Sequence, residues 1–254
     1  MCYDVSYLTR KAERYAKHHG TKADWEDIKK RLPATYHASG FDEPELPTLT
    51  AVHSGIQPMN WPFIPPSFAP SAMNGRPLNT LNARDDKIFT KSSLYYQSAN
   101  EQRCVVVLDG FFDHHHKNGV AYPHYVRIAN DEPMFVAGLW QTFETRDIER
   151  DCITLVTTRA NKEMAWIHNE PAYSPESRMI FVLPNRESWE TWIHGTVEEA
   201  KALIKPLPDG ALSYHPCHAV RSNKKLNRVY PGNIPTVQEE VYYPDLEETQ
   251  GTLF

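Results

Sequence analysis

The sequence predicts an α+β fold: a mostly antiparallel, barrel-like β core flanked by helices. Three observations lead there. Strand-like segments crowd the middle of the chain, from Arg103 to Thr158. Amphipathic helical segments lie before and after them. No strand–helix–strand alternation is sustained, so a parallel, doubly wound sheet is not expected.

Taken in order, residues 9–19 carry Ala12, Tyr15 and Ala16 on one helical face, Arg and Lys on the other, and Gly20 as a stop. Asp24 stands where a cap would start a second short helix running to about Leu32. From residue 33 to 80, prolines and glycines recur so often that only short strands between turns fit, such as Thr48–His53 and Trp61–Ile64. Trp61, Phe63, Ile64 and Phe68 offer this stretch material for burial. A helix is expected over Asp86–Asn100. Arg103–Asp109 is then a continuous apolar run bounded by charges, and Gly110–His116 and Tyr122–Ala129 flank Lys117-Asn118-Gly119 as a hairpin. Met134–Phe143 and Cys152–Thr158 extend the β region, Asn161–His168 is a short helix, and Arg178–Leu183 returns as a strand. Glu187–His194 and Val197–Ile204 are amphipathic helices, Leu212–Val220 is a last strand, and the remainder reads as irregular wrapping. There is no linker composition and no internal repeat. One domain over residues 2–230, followed by an acidic C-terminal extension over 231–254, is the expected organisation.

The chain has 254 residues, 41% hydrophobic and 23% charged, the composition of a soluble globular protein with room for a sizeable core. No apolar run approaches the roughly 20 residues that cross a bilayer, and the start lacks a basic-then-apolar leader pattern. A cytosolic protein without a membrane partner is therefore expected. Cys2, Cys104, Cys152 and Cys217 are widely spaced with no CxxC, which points to neither a disulfide framework nor a zinc ribbon. No cofactor and no metal is expected. The net charge of −5 at first argues against nucleic acid. However, Glu239, Glu240, Asp245, Glu247 and Glu248 all follow Arg228, the last basic residue, and without them the chain is formally neutral.

Several residues could carry chemistry. Cys2 becomes the first residue if Met1 is removed, and it then presents an α-amine and a thiol two carbons apart. That pair can close a five-membered thiazolidine ring on an aldehyde. The ordinary values, about 8 for the amine and about 8.5 for the thiol, leave both usable near neutral pH. Asn82 and Arg84, in Asn-Ala-Arg, fit either a helix-start turn or a substrate clamp, with Arg84 forking onto a phosphate. Asp113 follows an apolar strand; it is either a solvent-facing hairpin residue or, if desolvated, an acid–base group. Of His114, His115 and His116, only His114 and His116 share a strand face, and no third metal ligand is marked. His168 ends a short helix, where it could shuttle a proton or simply complement the helix dipole. Arg221, Lys224, Lys225 and Arg228 form a basic run that could contact phosphates or meet the acidic tail. Trp61 and Phe63 could stack on bases or fill the core.

The order of these signals is more specific than any one of them. Met1-Cys2, Trp61-x-Phe63-Ile64-Pro65, Asn82-Ala83-Arg84, Arg103-Cys104 followed by Asp109-Gly110-Phe111-Phe112-Asp113, Phe135-x-Ala137-Gly138-Leu139-Trp140, Thr157-Thr158-x-Ala160-Asn161, Ile167-His168 and Arg178-Met179-x-x-Val182-Leu183 resemble the SRAP family, the SOS-response-associated peptidases also known as abasic-site processing proteins. The resemblance runs from Cys2 to about Val220 and looks like a bacterial branch. It implies a monomeric DNA-damage protein whose partner is single-stranded DNA containing abasic sites. Cys2 would form a thiazolidine crosslink with the ring-opened aldehyde of the lesion. It further implies Asn82 beside the crosslink, Arg84 on a phosphate, Asp113 in place of the family's active-site Glu, and His168 assisting proton transfer and sugar opening. Trp61, Phe63 and Arg178 are carried over as further DNA contacts.

The chain departs from the family pattern at identifiable places. The common start Cys-Gly-Arg is Cys2-Tyr3-Asp4 here, so a DNA-contacting cation is missing at position 4. Asp113 is one methylene shorter than Glu, about 1.5 Å in reach, enough to slow a proton transfer. The stretch Glu170–Glu176 lengthens the spacing between His168 and Arg178-Met179. Two rival readings stand beside crosslinking. One is an N-terminal-nucleophile thiol peptidase or amidase, for which self-removal of Met1 would be a sign; the other is a module that holds single-stranded DNA without covalent chemistry.

Overall fold

Residues 103–108, the continuous apolar run, are buried at every position, as expected of a central strand. The computed structural model describes residues 2–65, 79–169 and 176–247. The strands in chain order are β1 Asp4–Tyr7, β2 Thr35–Ser39, β3 Glu45–Thr50, β4 Gln57–Asn60, β5 Asn82–Arg84, β6 Arg103–Leu108, β7 Gly110–Lys117, β8 Val120–Ile128, β9 Met134–Glu144, β10 Glu149–Arg159, β11 Arg178–Ile180, β12 Val182–Leu183 and β13 Leu212–Pro216. The helices are α1 Ala12–Ala16, α2 Lys22–Arg31, α3 Asp85–Ile88, α4 Tyr96–Glu101, α5 Lys162–Ile167, α6 Arg186–His194, α7 Val197–Leu203 and α8 Pro244–Glu247.

Two sheets result. In the larger, β10, β4, β3, β6 and β9 pair in that order, and β9 pairs back onto β10, closing a five-strand barrel. β5 and β11 attach to β10, and β12 attaches to β9. The smaller sheet is open, in the order β13-β8-β7-β1-β2. β6 passes into β7 through Asp109, so the chain leaves the barrel and enters the second sheet at one residue. Asp109 is fully buried and is held by Arg10, the Tyr15 hydroxyl at 2.7 Å and the backbone N–H of Thr9 at 2.7 Å. These bonds explain how a carboxylate survives at that crossing. The hairpin β7–β8 turns at Asn118 and Gly119, with φ of 53° and 72°, the left-handed pair that a two-residue turn requires. The α+β, antiparallel, barrel-like expectation is met.

Local expectations are corrected in several places. Thr21, not Asp24, caps α2; its hydroxyl accepts from the N–H of Asp24, whose carboxylate bonds back to the N–H of Thr21 in a reciprocal capping box. The helix expected over 86–100 is broken into α3 and α4 by turns. The strand expected at Trp61–Ile64 lies earlier, as β4, and the one expected at Thr48–His53 ends at Thr50. Arg178–Leu183 is two strands rather than one, because Met179 pairs with β10 and Val182 with β9. Residues 231–247 wrap the edge of the small sheet: Cys217 bridges to Glu240, and the Tyr243 hydroxyl donates to the Cys217 carbonyl at 2.8 Å. Phe68, residues 170–175 of the long spacing, and Glu248 lie outside the described residues.

Candidate active site

The site forms where the two sheets meet, and four separate elements supply it. β1 pairs with β7 with Asp4 opposite Phe112, so the chain before Asp4 runs toward the Asp113 end of β7. That register brings Cys2 to Asp113, although 111 residues separate them in sequence. Asn82 arrives on β5, which lies parallel to β10 with Asn82 opposite Leu155. His168 arrives at the C-terminal end of α5, whose N-terminus is capped by the Asn161 side chain.

Cys2 is 3% exposed, and its thiol donates to the Asp4 carbonyl at 3.6 Å. Asn82 Nδ2 donates to the Cys2 carbonyl at 2.7 Å, which fixes the backbone beside the thiol. Asn82 Oδ1 is buried and has no hydrogen-bond partner among the described residues. A buried acceptor without a donor is costly to maintain, so this oxygen is a ready site for an incoming N–H or O–H. Asp113 is 7% exposed; its Oδ1 accepts from the His114 backbone N–H at 2.8 Å and lies 3.1 Å from His168 Nδ1, with Oδ2 at 3.2 Å. Sequence reasoning named Cys2, Asn82, Asp113 and His168 from four distant places, and the fold brings them together.

Burial sets the electrostatics. It pushes the Cys2 thiol well above the ordinary cysteine value, and the negative charges of Asp113 and Asp4 push it further. The thiol is therefore held toward its neutral form. Burial acts to raise Asp113 as well. There the hydrogen bond to His168 and the positive amino terminus outweigh it and leave the carboxyl below its ordinary value. Asp113 is thus held toward its ionised form and lies against the imidazole through Nδ1. Cys104, Cys152 and Cys217 are also buried, and their thiols are raised by burial, but none stands in this cluster.

Other expectations are placed elsewhere. Trp61 and Phe63 are fully buried, and the Trp61 indole N–H donates to the Leu81 carbonyl at 2.8 Å. Neither ring offers a face to a base, so the stacking role expected of them is corrected to core packing. Arg178 is 2% exposed and pairs with Asp85 while donating to the Thr157 carbonyl at 2.6 Å. It ties β11 to β10 and to the start of α3, and the DNA contact expected of it is corrected to a structural strut. Arg84 remains partly exposed and forks onto Asp86, with both bonds at 2.9 Å. That carboxylate occupies the fork. Among His114, His115 and His116, His115 stacks on Trp166 at 4.1 Å, and burial lowers both His114 and His115. Among the described residues no three His, Cys, Asp or Glu side chains are grouped to hold a metal ion.

Sequence reasoning missed the role of Asp4. It is 2% exposed, not a surface position lacking a cation. His37 Nε2 lies 3.0 Å from its Oδ1, and Arg221 Nη2 donates to both carboxylate oxygens at 2.9 Å. A signal was available: an acid beside the candidate nucleophile and a basic run lacking acids, at opposite ends of the chain.

Comparisons with known proteins place the chain in a family and a fold. The chain is 27% identical over 157 residues to the Saccharomyces cerevisiae "Abasic site processing protein YMR114C", covering 59% of this chain and 39% of that protein. It is 28% identical over 192 residues to the Xenopus tropicalis "Abasic site processing protein HMCES", covering 66% of this chain and 54% of that protein. The chain thus spans between about two fifths and about half the length of these relatives. A crystal structure of a Bacteroides thetaiotaomicron protein superposes with a TM-score of 0.75 at 23% identity, covering 95% of this chain and 100% of the other, and shows the same fold. One from Bordetella bronchiseptica gives a TM-score of 0.68 at 19% identity, covering 86% of this chain and all of its own. Among the described residues no helix is long and apolar enough to cross a membrane. The family model for SOS response associated peptidase matches residues 1–223, a span that holds Cys2, Asn82, Asp113 and His168, and the chain therefore belongs to the SRAP family.

Proposed function

We propose that this protein processes abasic sites in single-stranded DNA by crosslinking to them through Cys2. The observation that carries the reading is the placement of Cys2, a buried thiol beside the hydrogen-bonded Asp113–His168 pair and Asn82, whose Oδ1 has no partner among the described residues. Family membership and the names of the relatives support it. An abasic sugar is mostly a closed hemiacetal, and His168 moves the proton that opens it to an aldehyde. The Cys2 α-amine, free once Met1 is removed, adds to the aldehyde carbon, and water leaves as the imine forms. The sulfur then adds to the imine carbon while its proton passes to nitrogen, closing the thiazolidine. One water is lost overall and nothing is oxidised or reduced. Asn82 Oδ1 accepts from the amine or from a sugar hydroxyl, and Arg84 exchanges Asp86 for a backbone phosphate.

The raised thiol favours this order. A neutral sulfur is a poor first nucleophile but an adequate intramolecular second one, held beside an imine. The same fact weighs against the rival reading of a thiol peptidase or amidase, in which sulfur must attack first. The test is incubation with a single-stranded oligonucleotide carrying one abasic site, followed by a denaturing gel. A heat-stable shifted band is expected, lost with Cys2→Ala and lost when Met1 is retained. Absence of the band together with peptide cleavage would sink crosslinking in favour of the peptidase; DNA binding without a band would favour a non-covalent module.

A further inference from the structure

The buried carboxylate of Asp4 has a consequence beyond its own burial. Asp4 uses a single Arg221 nitrogen, Nη2, and Arg221 Nε and Nη1 have no hydrogen bond among the described residues. The Arg221 side chain is 53% exposed and the Asp4 side chain 3%, so one end of the pair is fixed in the sheet and the other faces solvent. His37 supports the carboxylate from the opposite side and is itself tied by Nδ1 to the Tyr230 hydroxyl at 2.8 Å. Arg221 also lies over the ring of Phe41 at 5.6 Å, and Phe41 is 52% exposed and packs on Tyr3, the residue after Cys2. The guanidinium is thereby held from two sides, by the Asp4 carboxylate and the Phe41 ring, and its Nε and Nη1 keep donors without a hydrogen bond among the described residues.

The surroundings suit an anion. A cavity of about 340 Å³ is lined by His114, Arg221, Ser222, Asn223, Lys224 and Lys225, among others. Residues 219–230 contain four cations and no acid, and Asp4 neutralises only one of them. Lys225 is partly committed, since its Nζ donates to the Gly119 carbonyl at 2.6 Å, and Arg228 lies over Tyr243 at 5.7 Å. Lys224 is exposed and its ammonium has no partner among the described residues. His114 joins the cavity to Asp113, its neighbour on β7.

We propose that Arg221, anchored by Asp4, is a backbone-phosphate ligand for the DNA strand next to the Cys2 site, and that Lys224 extends the same subsite. The inference rests on the DNA reading above. It gives the acid at position 4 a purpose: the cation absent from the start of the chain is supplied from its far end and held in place by that acid. A planar guanidinium with two free donors fits a phosphodiester, and its ring contact leaves it little orientational entropy to lose.

The test uses the full chain and an undamaged single-stranded oligonucleotide, with affinity measured by fluorescence anisotropy across a salt series. Arg221→Ala is expected to weaken binding by about fivefold at moderate salt and to flatten the slope of log affinity against log salt by about 0.7, one phosphate contact. Arg221→Lys should recover part of both. Asp4→Asn should weaken binding even though it removes a negative charge, because the guanidinium loses its anchor. Lys224→Ala should flatten the slope again without lowering the melting temperature. If Arg221 only neutralises Asp4, then Arg221→Ala will lower the melting temperature while affinity and slope stay at wild-type values, and the proposal is overturned. The two readings fail separately. A wild-type protein that forms no crosslink but whose DNA affinity depends on Arg221 overturns the crosslinking reading alone. A crosslink with Arg221-independent affinity overturns this inference alone.

Discussion

Replacing Asp113 by asparagine removes one charge from the site and almost no volume. Asn Oδ1 can still accept from the His114 N–H, which lies 2.8 Å from Asp113 Oδ1, and can stay within reach of His168 Nδ1. What changes is electrostatic, and it pulls in two directions. A charge-assisted hydrogen bond contributes about 1.5–3 kcal/mol and a neutral one about 0.5–1.5. The loss at His168 is therefore about 1–1.5 kcal/mol, or roughly tenfold in any step that uses the oriented imidazole. At the same time Asp113 is one of the charges that raise the Cys2 thiol, so its removal lowers that thiol toward the ordinary value. Two assays separate the effects. The crosslinking rate, from quenched time points on a denaturing gel, is expected to fall about tenfold. Alkylation of Cys2 by a small iodoacetamide, followed by mass spectrometry, is expected to speed up. A crosslinking rate that rises with the alkylation rate would refute the reasoning, because thiolate formation and not imidazole orientation would then limit the reaction.

Three further outcomes follow from the packing and the charges. Trp61→Ala empties a fully buried indole site and should cost about 3–5 kcal/mol in denaturant unfolding, while DNA affinity per folded molecule stays unchanged; an affinity loss without a stability loss would restore its stacking role. Gly40→Ala would put a Cβ 2.5 Å from Leu81 Cδ2 and 2.8 Å from the Trp61 ring, a clash against packed neighbours that should cost about 1–3 kcal/mol, and an unchanged melting temperature would contradict that. The carboxyl of Asp113 is depressed in the folded state, so its contribution to stability is complete above the unfolded value of about 3.9 and is lost as pH falls through the lower folded value. Asp113→Asn should flatten that part of the acid limb of a pH–stability curve, and identical acid limbs for the two proteins would remove Asp113 from the account.

The β core was readable because burial leaves a local trace. Arg103–Leu108 is apolar at nearly every position, Asn118-Gly119 can scarcely be anything but a tight turn, and Asn161 sits where a short helix needs a cap. The misreadings share a cause. Thr21 and Asp24 are both good caps, and only the reciprocal bonds between them show which one starts the helix. Arg178–Leu183 looks like one strand because period-two patterning does not record that its halves pair with different partners. Trp61, Phe63 and Arg178 are residue types that serve cores and nucleic-acid surfaces equally, and residue type alone carries no burial. At the site, Cys2, Asn82, Asp113 and His168 were legible as candidates because their order along the chain resembles a family, not because any one of them is distinctive.

By itself the sequence determined the chemistry on offer: a cysteine that removal of Met1 turns into an amine and a thiol, a carboxylate after an apolar strand, a histidine ending a short helix, and strands enough for an antiparallel core. These are properties of residue types and of neighbours a few positions apart, and local physics acts over that range. Only the tertiary structure decided which groups meet and which charges survive. The register of β1 on β7 sets Cys2 beside Asp113, burial holds the thiol toward its neutral form, and the hydrogen bond to His168 favours the ionised carboxylate. The pairing of Asp4 with Arg221, 217 residues apart, turns an apparent loss of charge at the start of the chain into an anchor for one from its far end. Desolvation and ion pairing depend on distance in space, and the chain acquires those distances only when it folds.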